Sequence, residues 1–200
     1  MNRIIVVLSL FAAAQGAVAQ EELSRREALK FAFYVSADLK VLQGTPIATD
    51  VDLKHPVVLH DGDYGAMVLP EAKLSPETVA KAGDTVVPIG QLWLRKLTPL
   101  NGGEGVQGSK LRTVSIETES ETASAVQCAL GVKGDGSGGL ELLVFGKDKN
   151  PVAKVPLKKI QGSQQHPIAM KAERTDEAGR LTLTILGRYE ARLMVTELQE

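Results

Sequence analysis

The sequence has one cysteine, Cys128, among its 200 residues, and this scarcity limits what can hold the fold together. A single cysteine excludes an internal disulfide, even in an oxidising compartment. The surrounding run SAVQCALGV is apolar and carries no histidine, so we expect a buried thiol that behaves as a small hydrophobic side chain. A chain of this length can bury enough apolar surface to fold without covalent crosslinks.

An excess of positive or negative charge is also lacking. The chain carries 23 Lys and Arg against 24 Asp and Glu, a formal net charge of −1, and the sequence shows no block of either sign. Nucleic acids and anionic membranes attract clustered Lys and Arg. Composition therefore gives no electrostatic case for either partner, and we predict no nucleic-acid binding.

Aromatic residues make up only 4 % of the chain, with a single tryptophan, Trp93. A polysaccharide partner, which flat aromatic side chains commonly serve, is thus not indicated by composition. On a strand, Trp93 would face away from its neighbours Leu92 and Leu94. It is therefore either part of the core or an exposed contact residue, and large aromatics are usually mostly buried.

Long apolar runs are missing except near the start. Arg3 is followed by an apolar stretch over residues 4–14 and by the small-residue pattern Ala-Val-Ala that ends at Ala19, which together are typical of a secretory signal peptide. We predict that residues 1–19 are this signal, that it is cut after Ala19, and that the protein is periplasmic or secreted. No segment approaches the roughly 20 apolar residues that a membrane span requires.

The stretch SRREALKF, residues 24–31, has two readings. It resembles a twin-arginine export signal, but a second signal would be redundant, and Ser24 with Glu27 also forms the capping box that begins a helix. Over residues 30–42 helical and strand periodicities coincide, so pattern alone does not decide between them. The end signals favour a helix over residues 25–43 that ends at Gly44. The predicted buried stripe is Ala28, Phe31, Ala32, Val35, Leu39 and Leu42.

After this helix the sequence consists of short β-prone runs separated by Gly, Pro and Asp. HPVVLHDGDYGAMVLP predicts a hairpin that turns at Asp61 and Gly62, LSPETVAKAGD predicts a short helix over residues 76–82, and TVVPIGQLWLRKLTPL predicts a long strand broken or bulged near Pro88 and Gly90. The fold class is mainly β. We predict a single domain over residues 20–200, a β-sandwich or open barrel of about nine or ten short strands.

Polar residues concentrate in the HDGDYG turn, with His60, Asp61, Asp63 and Tyr64. The turn lacks the later ligands of an EF-hand calcium loop.

The histidines do not indicate a metal site. His55 and His60 stand five apart on a strand and so face opposite sides, which argues against a shared zinc ion. His55-Pro56 and His166-Pro167 are interpreted as strand starts. We predict no catalytic residue, no metal and no cofactor. The binding candidates are His60, Asp61, Asp63, Tyr64 and Trp93.

These observations predict a non-catalytic, extracytoplasmic binding or accessory module of the cell envelope, which contacts an envelope protein or a polysaccharide. The alternative is a hydrolase or metal-dependent enzyme whose site is assembled from distant loops, with His60, Asp61 and Asp63 as contributors. The two differ in whether polar side chains far apart in sequence meet at one point. The sequence leaves the oligomeric state open.

Overall fold

The computed structural model describes residues 21–118, 122–175 and 178–199. Strands account for 51 % of the described residues and helices for 14 %, which confirms the predicted mainly-β class. Within the described ranges no helix has the length and apolar character to cross a membrane. The proposed signal peptide, residues 1–19, lies outside them, so cleavage and localisation stay predictions.

The helices are α1 Arg25–Ser36, α2 Leu39–Gln43 and α3 Pro76–Ala80, and a 3-10 turn covers Gly108–Lys110. The strands in chain order are β1 Glu21–Glu22, β2 Val57–Asp61, β3 Tyr64–Pro70, β4 Val87–Arg95, β5 Leu97–Asn101, β6 Glu104–Gly105, β7 Arg112–Glu117, β8 Thr122–Gly134, β9 Leu140–Phe145, β10 Pro151–Lys159, β11 Ile168–Arg174, β12 Gly179–Ile185 and β13 Tyr189–Glu197.

The strands form one curled antiparallel sheet in the order β1-β2-β3-β4-β8-β9-β10-β13-β12-β11. The long strand β8 pairs with β4 along one edge, and along its other edge with β7 and then β9. Strand β5, which follows β4, pairs with β13. Strands β2 and β11, distant in the strand order, also contact each other. Of the two predicted architectures, the observed one is therefore a sheet curled on itself, as in an open barrel.

Both faces of the central strands are covered. On β4, Leu92 and Leu94 join the main core inside the curl, whereas Trp93 faces outward into a second apolar cluster. On β8, Cys128 points into the main core and Ala125 into the outer cluster. Continuous burial explains why these strands lack a simple alternation of apolar and polar residues.

The predicted helix over residues 25–43 is two helices. Helix α1 begins with the expected capping box, in which the Ser24 hydroxyl accepts from the Glu27 amide and the Ser24 amide donates to the Glu27 carboxylate. The chain then leaves helical geometry at Asp38, whose carboxylate accepts from the Lys40 amide over 2.9 Å and starts α2. Aspartate favours this position because its side chain satisfies an amide donor of the first turn. Gly44 ends α2 with φ of −77°, not in the expected left-handed conformation.

This break at Asp38 changes which side chains are buried. Ala28, Ala32, Val35 and Leu42 of the predicted stripe are buried. Phe31 and Leu39 are not, with 43 % and 65 % of their surface exposed. Leu39 is the first residue of α2, so it does not continue the helical phase of α1. The sheet is therefore contacted by α1 mainly through small side chains.

A buried polar network holds α2 against the outer face of the sheet. Gln91 donates from Nε2 to the Leu42 carbonyl over 2.7 Å, and Gln127 donates to the Val41 carbonyl over 3.0 Å. Arg112 donates to the Val41 carbonyl over 2.6 Å and to Gln127 Oε1, and its burial lowers the pKa of its guanidinium. These side chains satisfy carbonyl groups that the short helix leaves unpaired.

The long strand predicted before Leu100 contains the expected bulge. The pairing register with β8 shifts between Pro88 and Gly90, and Gly90 has φ of +145°. A Cβ at Gly90 would overlap the Leu69 carbonyl oxygen, so only glycine fits there. The run does not continue to Leu100 as one strand, because Lys96 adopts a positive φ of 56° and separates β4 from β5.

The predicted short helix is α3. Ser75 and Thr78 form a capping box, and Pro76 occupies the first turn, where its missing amide costs no hydrogen bond. The helix ends at Ala80, two residues before the predicted limit of 82.

Candidate functional site

A cleft of about 470 Å³ lies between α1 and the outer face of the sheet. Its floor is formed by strand side chains, among them Val58, Met67, Trp93 and Ala125, and its wall by Phe31 and Tyr34 of α1. Most of the lining surface is apolar. Helix α1 packs on the sheet through Ala28, Ala32 and Val35, and its side chains Phe31 and Tyr34 line the cleft.

Trp93, whose side chain lines the cleft, carries a polar atom with an unmet hydrogen-bonding requirement. Trp93 is 3 % exposed, and its indole Nε1 has no hydrogen-bond partner among the described residues. A buried donor without an acceptor costs about 1 to 3 kcal/mol, because it has lost its hydrogen bond to water.

The rim of the cleft is charged. Lys30, His60 and Arg95 line it, together with the carboxylate of Glu27. That carboxylate accepts from the Ser24 hydroxyl over 2.6 Å and from the Ser24 amide over 3.2 Å, and these hydrogen bonds lower the pKa of Glu27. Glu27 is thus already engaged in capping α1.

The structure brings three of the five predicted binding residues to this cleft. His60, Tyr64 and Trp93 all line it, from β2, β3 and β4. Tyr64 also hydrogen-bonds Glu197, and this bond raises the pKa of its hydroxyl. The five candidates were four residues of one turn and one tryptophan. The pairing of the adjacent antiparallel strands β2, β3 and β4 brings three of them to the same cleft.

Asp61 and Asp63 have other environments. Asp61 lines a smaller depression of about 240 Å³ beside Arg174 and Arg180. Asp63 is exposed and accepts from Lys96 Nζ over 2.7 Å, and this hydrogen bond lowers its pKa. Among the described residues, no group of three His, Cys, Asp or Glu side chains is arranged to hold a metal ion.

One contact between polar side chains was not predicted. The rings of His55 and His166 lie with centroids 5.8 Å apart, because the strand starts of β2 and β11 come together where the sheet curls. His55 Nδ1 lies 2.5 Å from Asp52 Oδ2, and although burial opposes ionisation, the bonds from His55 and the Lys54 amide hold the pKa of Asp52 below its usual value. The sequence signal was the repeated His-Pro pair, which we interpreted as strand starts alone.

Cys128 lies away from this cleft, in the main core. It is fully buried, and burial raises its pKa to about 12. The expected buried thiol is therefore observed.

The contribution of α1 was missed as well. Lys30, Phe31 and Tyr34 line the cleft, yet the helical stripe assigned Phe31 to the core. The available signal was the size difference along α1, where the buried positions are Ala28, Ala32 and Val35 and the phenylalanines stand elsewhere.

Comparisons of the chain with protein-family models, with curated proteins and with solved structures gave no match.

Proposed function

We propose that this protein is a non-catalytic binding module of the extracytoplasmic space, and that its ligand is a small amphiphile held in the cleft beneath α1. The observation that carries the proposal is a mostly apolar cleft of about 470 Å³ whose lining includes the side chain of Trp93. An apolar chain would fill this cleft.

The size of the cleft supports a small ligand. Sites for small molecules usually measure about 300 to 1,000 Å³ and combine apolar walls with a few polar groups. The cleft, at about 470 Å³, falls in this range. The mostly apolar lining favours an amphiphile over a polysaccharide, the other partner class considered from the sequence, because a sugar requires many hydrogen-bonding partners.

The charges at the rim support a polar or anionic head group. Lys30 and Arg95 are positively charged, and among the described lining residues the one carboxylate, that of Glu27, is held by Ser24. A head group at the rim would lie in water-accessible surroundings, while its chain lies over Met67 and Trp93. Such a division matches the apolar floor and the charged edge.

Trp93 is the only tryptophan, so its fluorescence reports on the cleft directly. Dodecanoate carrying bromine on its terminal carbon should quench Trp93, because bromine quenches indole at contact. Unlabelled dodecanoate should relieve the quenching by competition, whereas maltose should not. Absence of quenching at concentrations below the micelle threshold would refute the proposed site.

Two variants make this test specific. Ala123→Leu extends a side chain from β8 into the cleft and should weaken quenching at least tenfold. Ala169→Leu makes the same change at another half-buried alanine, on β11 and away from the cleft, and should leave quenching unchanged. Equal quenching in both variants would place the ligand elsewhere.

An ester of dodecanoate tests the proposal that the binding module is not a hydrolase. We expect the ester to be recovered intact after long incubation with the protein. Release of dodecanoate would instead favour the alternative, a hydrolase.

The location rests on residues 1–19. Intact mass of the exported protein should correspond to a chain that starts at Gln20. A start after the SRREALKF stretch, near Asp38, would restore the twin-arginine interpretation and remove α1 from the mature protein.

A further inference from the structure

The apolar exposure of this protein is concentrated in one short segment. Within the described residues, the large apolar side chains that are exposed to solvent are Leu29, Phe31, Phe33 and Leu39. Phe33 is the most exposed of them, at 70 %. Scattered apolar residues on a surface need no explanation, but a cluster of them marks an interaction site.

Part of this cluster forms one surface with basic residues. Arg25, Arg26, Leu29, Lys30, Phe33 and Tyr34 line a shallow depression along α1, which we call the outer surface of α1. It lies opposite the buried Ala28, Ala32 and Val35. The outer surface therefore holds three cations around two large apolar side chains, and the described residues that line it include no carboxylate.

We propose that the outer surface of α1 docks on an anionic phospholipid membrane. Helices that lie in the membrane interface present Leu and aromatic side chains to the acyl boundary, with Lys and Arg beside the head groups. Phe33 and Leu29 supply the apolar contact, and Arg25, Arg26 and Lys30 supply the charge. Tyr34 packs edge-on against Phe33, with ring centroids 6.2 Å apart, and offers an amphipathic aromatic at the same level.

Charge complementarity selects the lipid. Each Lys or Arg near an anionic bilayer contributes about fivefold to its membrane partition. The near-neutral net charge of the whole chain gave no reason to expect this, because acidic residues elsewhere balance the basic ones. Folding α1 onto the sheet turns Glu27 toward the cleft and leaves Arg25 and Arg26 on the other side, with Lys30 lining both.

The outer surface is continuous with the cleft. Lys30 and Tyr34 line both. Docking would thus bring the mouth of the cleft to the bilayer, where amphiphiles are concentrated. The inference itself rests on the outer surface and not on the cleft floor.

The test is co-sedimentation of the purified protein with vesicles. We expect binding to phosphatidylcholine vesicles that contain phosphatidylglycerol, weak binding to phosphatidylcholine alone, and release by high salt, which screens charge. The double variant Arg25→Gln/Arg26→Gln should lower the partition coefficient about 25-fold, on the scale of fivefold per residue. Phe33→Ser should lower it roughly tenfold through lost apolar burial.

The matched control is Lys158→Gln/Lys159→Gln, which removes the same charge from two adjacent exposed residues of β10. It should bind vesicles within about twofold of the unaltered protein, since its charges lie outside the docking surface. The three substituted residues of α1, Arg25, Arg26 and Phe33, are exposed, so the variants should fold. Unchanged Trp93 emission would verify this.

The proposal is overturned if the unaltered protein does not sediment with anionic vesicles, or if the α1 variants and the β10 control lose binding equally. It is also overturned if gel filtration shows a dimer that Phe33→Ser dissolves while vesicles bind nothing, because the surface would then be a contact between two copies. Bromododecanoate quenching of Trp93, measured in the same variants without vesicles, reports the cleft separately.

Discussion

Gln127 donates a hydrogen bond from Nε2 to Oε1 of Gln91 over 2.9 Å, and both side chains are completely buried. Each glutamine also donates to a carbonyl of α2, Gln91 to Leu42 and Gln127 to Val41. The position of α2 is thus fixed by directional bonds from two neighbouring strands. Helix α1, by contrast, is held by small apolar side chains, and this difference leaves room for the cleft.

Replacing Gln91 with leucine tests the network. The variant removes the Gln91 donor from the Leu42 carbonyl and one of the two acceptors of the Gln127 amide, so we expect the free energy of unfolding in urea to fall by about 1 to 3 kcal/mol. Gln107→Leu changes an exposed glutamine with no side-chain bond at its capping position and should alter stability by less than about 0.5 kcal/mol. Equal stability of the two variants would show that the network contributes no net stability.

Gly44 has an ordinary backbone conformation, and an added side chain there would meet the movable end of Arg112. A Cβ there would overlap the Arg112 guanidinium, although φ is an ordinary −77°. We expect Gly44→Ala to displace the guanidinium from its carbonyl and amide acceptors and to cost about 1 to 3 kcal/mol. Gly83→Ala, with no atom near the added Cβ, is the control.

The Gly44 prediction has a second test in a double variant. If the cost arises from Arg112, Gly44→Ala should cost little in the background of Arg112→Met, because contacting residues are not additive. A full cost in both backgrounds would point to a backbone effect at Gly44 instead.

Local features of the fold could be predicted from the sequence. The capping box at Ser24 and the bulge at Gly90 depend on residues a few positions apart, which a sequence displays directly. The break at Asp38 was missed because an unbroken apolar stripe favours one helix. An aspartate inside a helical pattern can cap a new helix with its side chain. The apolar stripe was given more weight than this signal.

The residues of the candidate cleft could be selected from the sequence only in part, because the cleft is built across strands. Trp93 and His60 were selected from their own segments, and pairing of β2, β3 and β4 brings them to one cleft. The contact between His55 and His166 spans most of the chain and depends on how far the sheet curls. A periodic pattern gives the face of a strand but not which distant strand it meets.

Cys128 provides a reporter of global unfolding. Burial raises its pKa to about 12, and the thiol lies in the main core. We expect no reaction with iodoacetamide at pH 8 in the native state and complete reaction in guanidinium chloride, because the thiolate is the reactive form. Rapid labelling of the native protein would show that β8 opens locally. Since the chain has one cysteine, the product is a single mass shift.

The capping of α1 should depend on pH through Glu27. The Ser24 hydroxyl and amide hold the pKa of this carboxyl below its usual 4.5, so the carboxylate is favoured in the folded state. A lowered folded pKa means that the stabilising contribution is present above about pH 4.5 and is lost as pH falls through the lower, folded value. Since α1 covers Trp93, we expect its emission to shift to longer wavelength in that acid range.

Glu27→Gln isolates this effect. Glutamine can still occupy the capping box but does not titrate, so the variant should show a smaller acid-induced change in Trp93 emission and in helical circular dichroism. Glu104→Gln removes an exposed carboxylate on β6, away from α1, and should retain the full change. An acid transition of the same size in Glu27→Gln as in the unaltered protein would mean that other carboxyl groups control α1. The cleft would then respond to pH through the sheet and not through the cap of its covering helix.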